Sequence, residues 1–269
     1  MEPQNLNSYY LMPEPGKESA AIVLDCHDHG EADQIVTFYC RDIGRMTGIA
    51  KGAKRSQKRF VNKLELFSLL SIRYTEPRHG NLVFIVEAEL LESFIHLRQS
   101  MSLYMAATVL RELTLVATRD LDGDDGFFSL LHWGLQALET GRPDLTVLAL
   151  FQIKYFEQIG YRPNFSSCLR CNQPFGVIRG YGFDSRAGSI VCRYCQTERG
   201  QAPVLPLSQG TIKILASAQN QPLDRLHRLH LSGSSLHEAL SLLYHYGRHL
   251  LQREICSLKL LSDAHWRGR

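Results

Sequence analysis

Gln34-Ile-Val-Thr-Phe-Tyr-Cys40, the turn Asp42-Ile-Gly44 and Met46-Thr-Gly-Ile-Ala50 read as two short β-strands joined end to end. β-Branched and aromatic side chains suit a pleated, half-buried surface, whereas aspartate and glycine interrupt it. Working outward, Ala20–Asp25 is an earlier apolar run, with His27-Asp-His-Gly30 expected as the turn that ends it. Leu64–Tyr74 and Leu82–Ala88 supply two later strands, the last following the expected turn Arg78-His-Gly80. Five short strands punctuated by Gly and Pro, with no helical pattern between them, predict a small closed barrel rather than a βαβ sheet. A five-stranded OB-type barrel fits best. Residues 1–19 hold few large apolar side chains and are expected to be a loosely ordered lead-in.

The pattern changes after about Ser93. Leu103, Ala106, Ala107, Leu110, Leu113 and Leu115 recur at helical spacing, as do Phe128, Leu131, Leu135 and Leu138. Gly123–Gly126 reads as a turn. Pro143-Asp144 opens a further helix over Leu145–Ile159, stopped by Gly160, and another begins at Ser208. Ser235-x-x-Glu238 has the form of a capping box ahead of Leu240–Ile255. The expected class is α+β: an OB-type domain over 1–91, then a helical domain over 92–269 with a Gly-, Arg- and Cys-containing insertion at about 161–201. A chain of 269 residues has room for two such domains.

Charge is segregated. Between Arg41 and Lys63 lie eight basic residues, Arg41, Arg45, Lys51, Lys54, Arg55, Lys58, Arg59 and Lys63, opposed only by Asp42. That segment sums to +7; the whole chain is +3, so the remainder carries −4. Concentrated positive charge in an otherwise acidic chain is an electrostatic footprint for a polyanion, and nucleic acid is the commonest one. Lys51–Arg59 leaves one expected strand and leads into the next, with Gly52 and Ser56 expected to keep it flexible. Closely spaced Lys and Arg follow a phosphate backbone without reading bases. Phe38, Tyr39, Phe60, Phe67 and Tyr74 are candidate stacking residues, though alternation sends about half of them into a barrel.

Cys168-Leu-Arg-Cys171 is followed, after 20 intervening residues, by Cys192-Arg-Tyr-Cys195. Each Cys-x-x-Cys turn brings two thiolates to one side of a metal, and two such turns complete a tetrahedral four-sulfur zinc site. Four sulfurs leave no position for reactive water, so the zinc is expected to be structural. Cys26, Cys40 and Cys256 sit in apolar contexts and are expected to be buried fillers.

Enzyme signatures are scarce. Gly48-Ile-Ala-Lys51-Gly52 lacks the Gly-Lys-[Ser/Thr] ending of a phosphate loop, and Gly233-Ser-Ser235 is no nucleophile elbow. Asp25, Asp28, Glu31 and Asp33 could serve a metal-dependent nuclease, the alternative to a DNA-binding role; a zinc-stabilised protein-interaction module is a third reading. No unbroken apolar stretch is longer than five residues, such as Val147–Phe151, far short of the ~20 needed to span a bilayer. The chain opens without a basic, apolar secretory signal, so a cytoplasmic location is expected.

Taken in order, these pieces resemble the bacterial recombination mediator family RecO. The resemblance rests on Ala20–Leu24, the acidic turn Gly30-Glu-Ala-Asp33, Ile35–Phe38, Gly44–Arg55, and Phe156-Glu-Gln-Ile-Gly-Tyr-Arg-Pro163 ahead of the cysteine pairs. It covers nearly the whole chain; Ser56-Gln57 is a mild departure, where a more basic or proline-containing stretch is common in the family. The resemblance implies a non-enzymatic DNA-repair role. It implies binding of single- and double-stranded DNA and annealing of complementary strands. It also implies action with RecR in helping RecA replace single-strand-binding protein. Docking of the acidic C-terminal tail of that protein on the helical domain is implied as well, with Arg111, Arg119 and Arg142 as conceivable edges.

Overall fold

The computed structural model describes residues 16–76, 80, 82–196, 204–231 and 233–265. Residues 1–15 of the expected 1–19 lead-in, the Arg78-His79 part of one expected turn and the end of the insertion at 197–201 lie outside the described residues. The chain divides into two compact units, Met1–Ser93 and Phe94–Arg269.

The first unit is a closed barrel of β1 (Lys17–His29), β2 (Asp33–Cys40), β3 (Gly44–Ala50), β4 (Leu69–Thr75) and β5 (Val83–Glu92) in the order β1-β2-β3-β5-β4. β1 pairs antiparallel with both β2 and β4, and one parallel seam, Gly48 to Val83 and Ile49 to Phe84, closes the ring between β3 and β5. This is the OB-type arrangement. Val23, Val36, Phe38, Met46, Leu70, Ile72, Val83 and Ile85 fill its interior. Gly48 is fixed by space: a Cβ there would lie 2.7 Å from Ile85 Cδ1 and 2.9 Å from Val83 Cγ2.

Several strand boundaries differ from expectation: β1 starts at Lys17, inside the expected lead-in, because Lys17–Ser19 pair with β4, and β5 runs on to Glu92. β1 runs on through His27-Asp-His29, because His29 still pairs with Asp33, so the turn occupies only residues 30–32. β4 begins at Leu69 rather than Leu64, because Asn62 and Phe67 adopt left-handed backbone (φ 53° and 73°) that no strand tolerates. Phe67 is held there by burial and by its N–H donating to the Val23 carbonyl, while Val23 N–H donates to Ser68. These bonds carry the β1–β4 pairing one step beyond Ile22–Leu69.

The second unit contains α1 (Ile95–Gln99), α2 (Met101–Ala117), α3 (Asp125–Glu139) and α4 (Asp144–Gln158), then an insertion, then α6 (Gln209–Asn220), α7 (Gly233–Leu251) and α8 (Cys256–His265). α4 is buried almost all round, from Thr146 to Phe156, and α2, α3, α6 and α7 pack about it. The expected turn at Gly123–Gly126 is shorter than anticipated. Asp124 caps α3 by accepting from Phe127 N–H, so Gly126 already lies within the helix. The expected capping box is not formed, because α7 starts at Gly233 and Ser235 is inside its first turn. Glu238 instead accepts from Ser208 N–H and Thr211 Oγ1 (2.9 and 2.6 Å), tying α7 to the start of α6.

The insertion holds the hairpin β6 (Tyr181–Asp184) and β7 (Ser189–Cys192), the short α5 (Arg193–Gln196) and β8 (Leu205–Leu207), in sheet order β7-β6-β8. Cys256 is exposed rather than buried, and Cys26 only half-buried; Cys40 alone of the three fills core. Cys256 lies at the start of α8, where its N–H and that of Ser257 donate to Glu112 (2.9 Å each).

Gly48→Ala is expected to lower stability by about 1–3 kcal/mol by overpacking the β3–β5 seam, readable as a drop in denaturant midpoint. Partial burial by itself would raise the Glu112 pKa, but donation from Ser257 and Cys256 outweighs it and holds the carboxyl below its ordinary range. Its contribution is therefore present above the ordinary carboxylate pKa and lost as pH falls through the depressed one. Glu112→Gln should remove that part of the acid-side loss of stability, and an unchanged pH–stability curve would contradict it.

Candidate nucleic-acid interface and metal centre

β3 ends at Ala50 and β4 begins at Leu69, leaving an 18-residue connection in which the one regular element is a 3₁₀ turn, Ala53–Arg55. Connections this long in compact domains are usually functional. It carries Lys51, Lys54, Arg55, Lys58, Arg59 and Lys63. Arg41 lies in the β2–β3 turn and Arg45 on β3, toward the other end of that strand. At a strand rise of ~3.3 Å per residue, Arg45 and Lys51 are roughly 20 Å apart. The basic run is thus two clusters, bracketing one strand.

The long connection is pinned rather than loose. Ala53, Phe60 and Leu64 are buried and join the barrel core. Gly52 takes left-handed φ (69°) to start the 3₁₀ turn, and its N–H donates to Asp33 Oδ1 at 2.8 Å. Lys54 N–H donates to the Ala32 carbonyl, and Phe60 N–H to Ser56 Oγ. Lys63 sends its ammonium to three carbonyls, of Lys58, Arg59 and Ala88 (3.1, 3.1 and 2.7 Å). Its charge organises the loop from within. Lys51, Lys54, Arg55, Lys58 and Arg59 are left exposed on the outside.

The acidic turn and the basic loop meet. Lys54 Nζ lies 2.6 Å from Asp28 Oδ2, and Arg55 3.4 Å from Glu31 Oε2. Lys54 holds the Asp28 carboxyl below its usual range. Asp33 is occupied by Gly52, and Asp25 Oδ1 accepts from Cys26 N–H. The carboxylates of the nuclease alternative therefore have structural partners. Among the described residues, four cysteines form the one group of three or more metal-ligating side chains close enough to share an ion. Exposed ion pairs such as Lys54–Asp28 contribute about 0–1 kcal/mol and exchange readily with a stronger anion.

All five aromatics singled out for stacking, Phe38, Tyr39, Phe60, Phe67 and Tyr74, are buried. Phe84 on β5 is 40% exposed, and the Lys51 ammonium sits over its ring, 5.1 Å from the centroid. Val83 and Ile85 enter the core, so Phe84 faces outward. The pairing Ile35–Ile49–Phe84 places three apolar residues in one row across β2, β3 and β5. The hydroxyls of Thr37 and Thr47, 3.2 Å apart, form the next row. Sequence reasoning missed Phe84 because Leu82–Val86 is apolar at every position, so alternation left no mark. Arg142 donates to the Leu226 carbonyl at 3.4 Å.

The two Cys-x-x-Cys turns converge. Cys168, Cys171, Cys192 and Cys195 bring their sulfurs within 4.8 Å of one another, and no disulfide joins them. Cys171 and Cys192 Sγ are 3.8 Å apart, about the edge of a tetrahedron with ~2.3 Å metal–sulfur bonds. Cys192 N–H donates to Cys168 Sγ at 3.3 Å, and Arg170 donates to the Cys195 carbonyl, bracing one turn on the other. Burial pushes the Cys168 thiol up, but N–H groups of Cys192, Cys171 and Arg170 bring it down to about 6. Burial and the neighbouring thiols push Cys195 up to about 12. Four adjacent thiols cannot all ionise unaided; a divalent cation would let them. The donor set fits a metal. Among the described residues, no helix is long and apolar enough to cross a membrane.

Residues 16–94 match the family model described as Recombination protein O N terminal, and residues 98–259 match Recombination protein O C terminal. The chain is similar to the DNA repair protein RecO of Syntrophus aciditrophicus, 31% identical over 93% of this chain and 97% of the relative. It is similar also to the protein of that name from Syntrophobacter fumaroxidans, 33% identical over 91% and 96%. The Anaeromyxobacter sp. (strain K) protein is 30% identical over 90% and 94%.

Removing Asp28 and Glu31 charge should release Lys54 and Arg55. The double variant Asp28→Asn/Glu31→Gln is expected to elute from a heparin column at higher salt than the parent. Elution at the same or lower salt would show that these pairs do not restrain the loop.

Proposed function

The chain belongs to the recombination protein O family of DNA repair proteins, and we propose that it binds single- and double-stranded DNA and anneals complementary strands. The observation that carries the proposal is the pinned basic connection after β3, with five cations held outward on a rigid barrel. Two phosphate backbones repel each other, and a cationic surface screens both while the bases remain free to pair. Arg41 and Arg45 extend the cationic surface beyond the loop, whereas Lys63 supports it. No bond is made or broken, so the activity requires no catalytic residue. In this role the protein acts with RecR, engages the C-terminal tail of single-strand-binding protein, and helps RecA onto DNA that protein covers.

The four cysteines hold zinc in this proposal, with all coordination positions supplied by sulfur and a structural part to play. The insertion has little core of its own, so the metal defines its fold.

If Lys51, Lys54, Arg55, Lys58 and Arg59 neutralise about five phosphates, log K for single-stranded DNA falls with log salt at a slope near −3.5. Replacing all five by Ala should flatten that slope and weaken binding for every sequence tested; unchanged affinity and slope would sink the assignment. Elemental analysis should find about one zinc per chain, absent in Cys168→Ser/Cys192→Ser. Retention of full thermal stability by metal-stripped protein would contradict a structural metal.

A further inference from the structure

We propose that Phe84 is the stacking residue of this DNA interface and that it makes the barrel face selective for unpaired bases. The inference rests on the DNA-binding reading above and adds to it a residue and a strand preference. Six aromatic residues lie in the described part of the barrel unit, and Phe84 alone among them is exposed. It does so from an outward position of β5, beside Ile49 and Ile35, in an apolar row that crosses the outer face of β2, β3 and β5. On β3 the outward-directed positions read Arg45, Thr47, Ile49, followed by Lys51: cations at both ends, with a hydroxyl and the largely covered Ile49 between.

That layout matches single-stranded nucleic acid. Phosphates require positive charge, bases require a flat apolar partner, and an OB-type barrel offers this face for them. A duplex keeps its bases stacked inward, so it can use the cations but not the ring. Lys51 over the Phe84 ring marks the resting arrangement. An exposed cation–π contact is weaker than base–aromatic stacking. An arriving base therefore takes the ring and releases the Lys51 ammonium to a neighbouring phosphate.

The test compares full-length parent, Phe84→Ala, Phe84→Trp and Lys51→Ala by fluorescence anisotropy, using labelled oligothymidylate and a labelled duplex of the same length. Phe84→Ala is expected to weaken single-strand binding by about five-fold or more, leaving the duplex affinity and both salt slopes unchanged. Lys51→Ala should weaken both and reduce the single-strand slope by about 0.7. Phe84→Trp should retain the affinity, and its indole emission should be quenched on single strands but not on duplex. Equal loss on both DNAs, or no loss on either, in Phe84→Ala overturns the stacking role while leaving DNA binding intact. Failure of the parent to bind either DNA overturns the DNA-binding reading itself.

Discussion

The barrel depends on a close approach that only glycine permits. At Gly48 the backbone of β3 comes against Val83 and Ile85 of β5, and the short parallel pairing there turns a curled sheet into a ring. Closure removes two sheet edges that would otherwise need covering. The β2–β3 pairing, Gln34 opposite Ala50, decides what the loop meets. The end of β3 comes next to the β1–β2 turn, so the connection that follows meets Asp28, Glu31 and Asp33. The β3–β5 seam sets Phe84 beside Ile49 on the outer surface.

The basic connection is ordered by different forces from those that give it its charge. Apolar anchors, Ala53, Phe60 and Leu64, and a lysine turned onto three carbonyls fix its path. Of the remaining cations, Arg59 donates to the Lys51 and Val86 carbonyls, while Lys54 and Arg55 meet exposed carboxylates in pairs worth little each. A rigid backbone with weakly held side chains would suit the sequence-independent phosphate contact proposed above. Pre-organisation lowers the entropy lost on binding, and weak resting pairs keep the charges available.

The cysteine insertion solves a problem of size. A short hairpin and a three-residue strand bury too little apolar surface to order themselves. Hydrogen bonds between the two Cys-x-x-Cys turns bring the four sulfurs together, in an arrangement that fits a metal. A metal held there, as proposed above, would turn its binding energy into folding energy for the segment.

The strands, the helices and the clustered cysteines were legible in the sequence, because each depends on local spacing: alternation, a 3.6-residue period, or two residues between thiols. The +7 run was legible too, as a sum of charges. What the sequence could not decide was how those charges are used. Lys63 and Lys58 look alike on paper, yet one is turned inward to carbonyls and the other is exposed, because burial is settled by long-range packing. The same holds for Phe84 in a run apolar at every position, for Glu238 capping a neighbouring helix rather than its own, and for four carboxylates held by backbone amides and lysine or arginine side chains. Composition and spacing determined that this protein presents a barrel, a helical unit, a thiol cluster and a concentrated positive charge. Tertiary structure alone decided which side chains face solvent, because that depends on residues brought together across the barrel seam and not on neighbours in the chain.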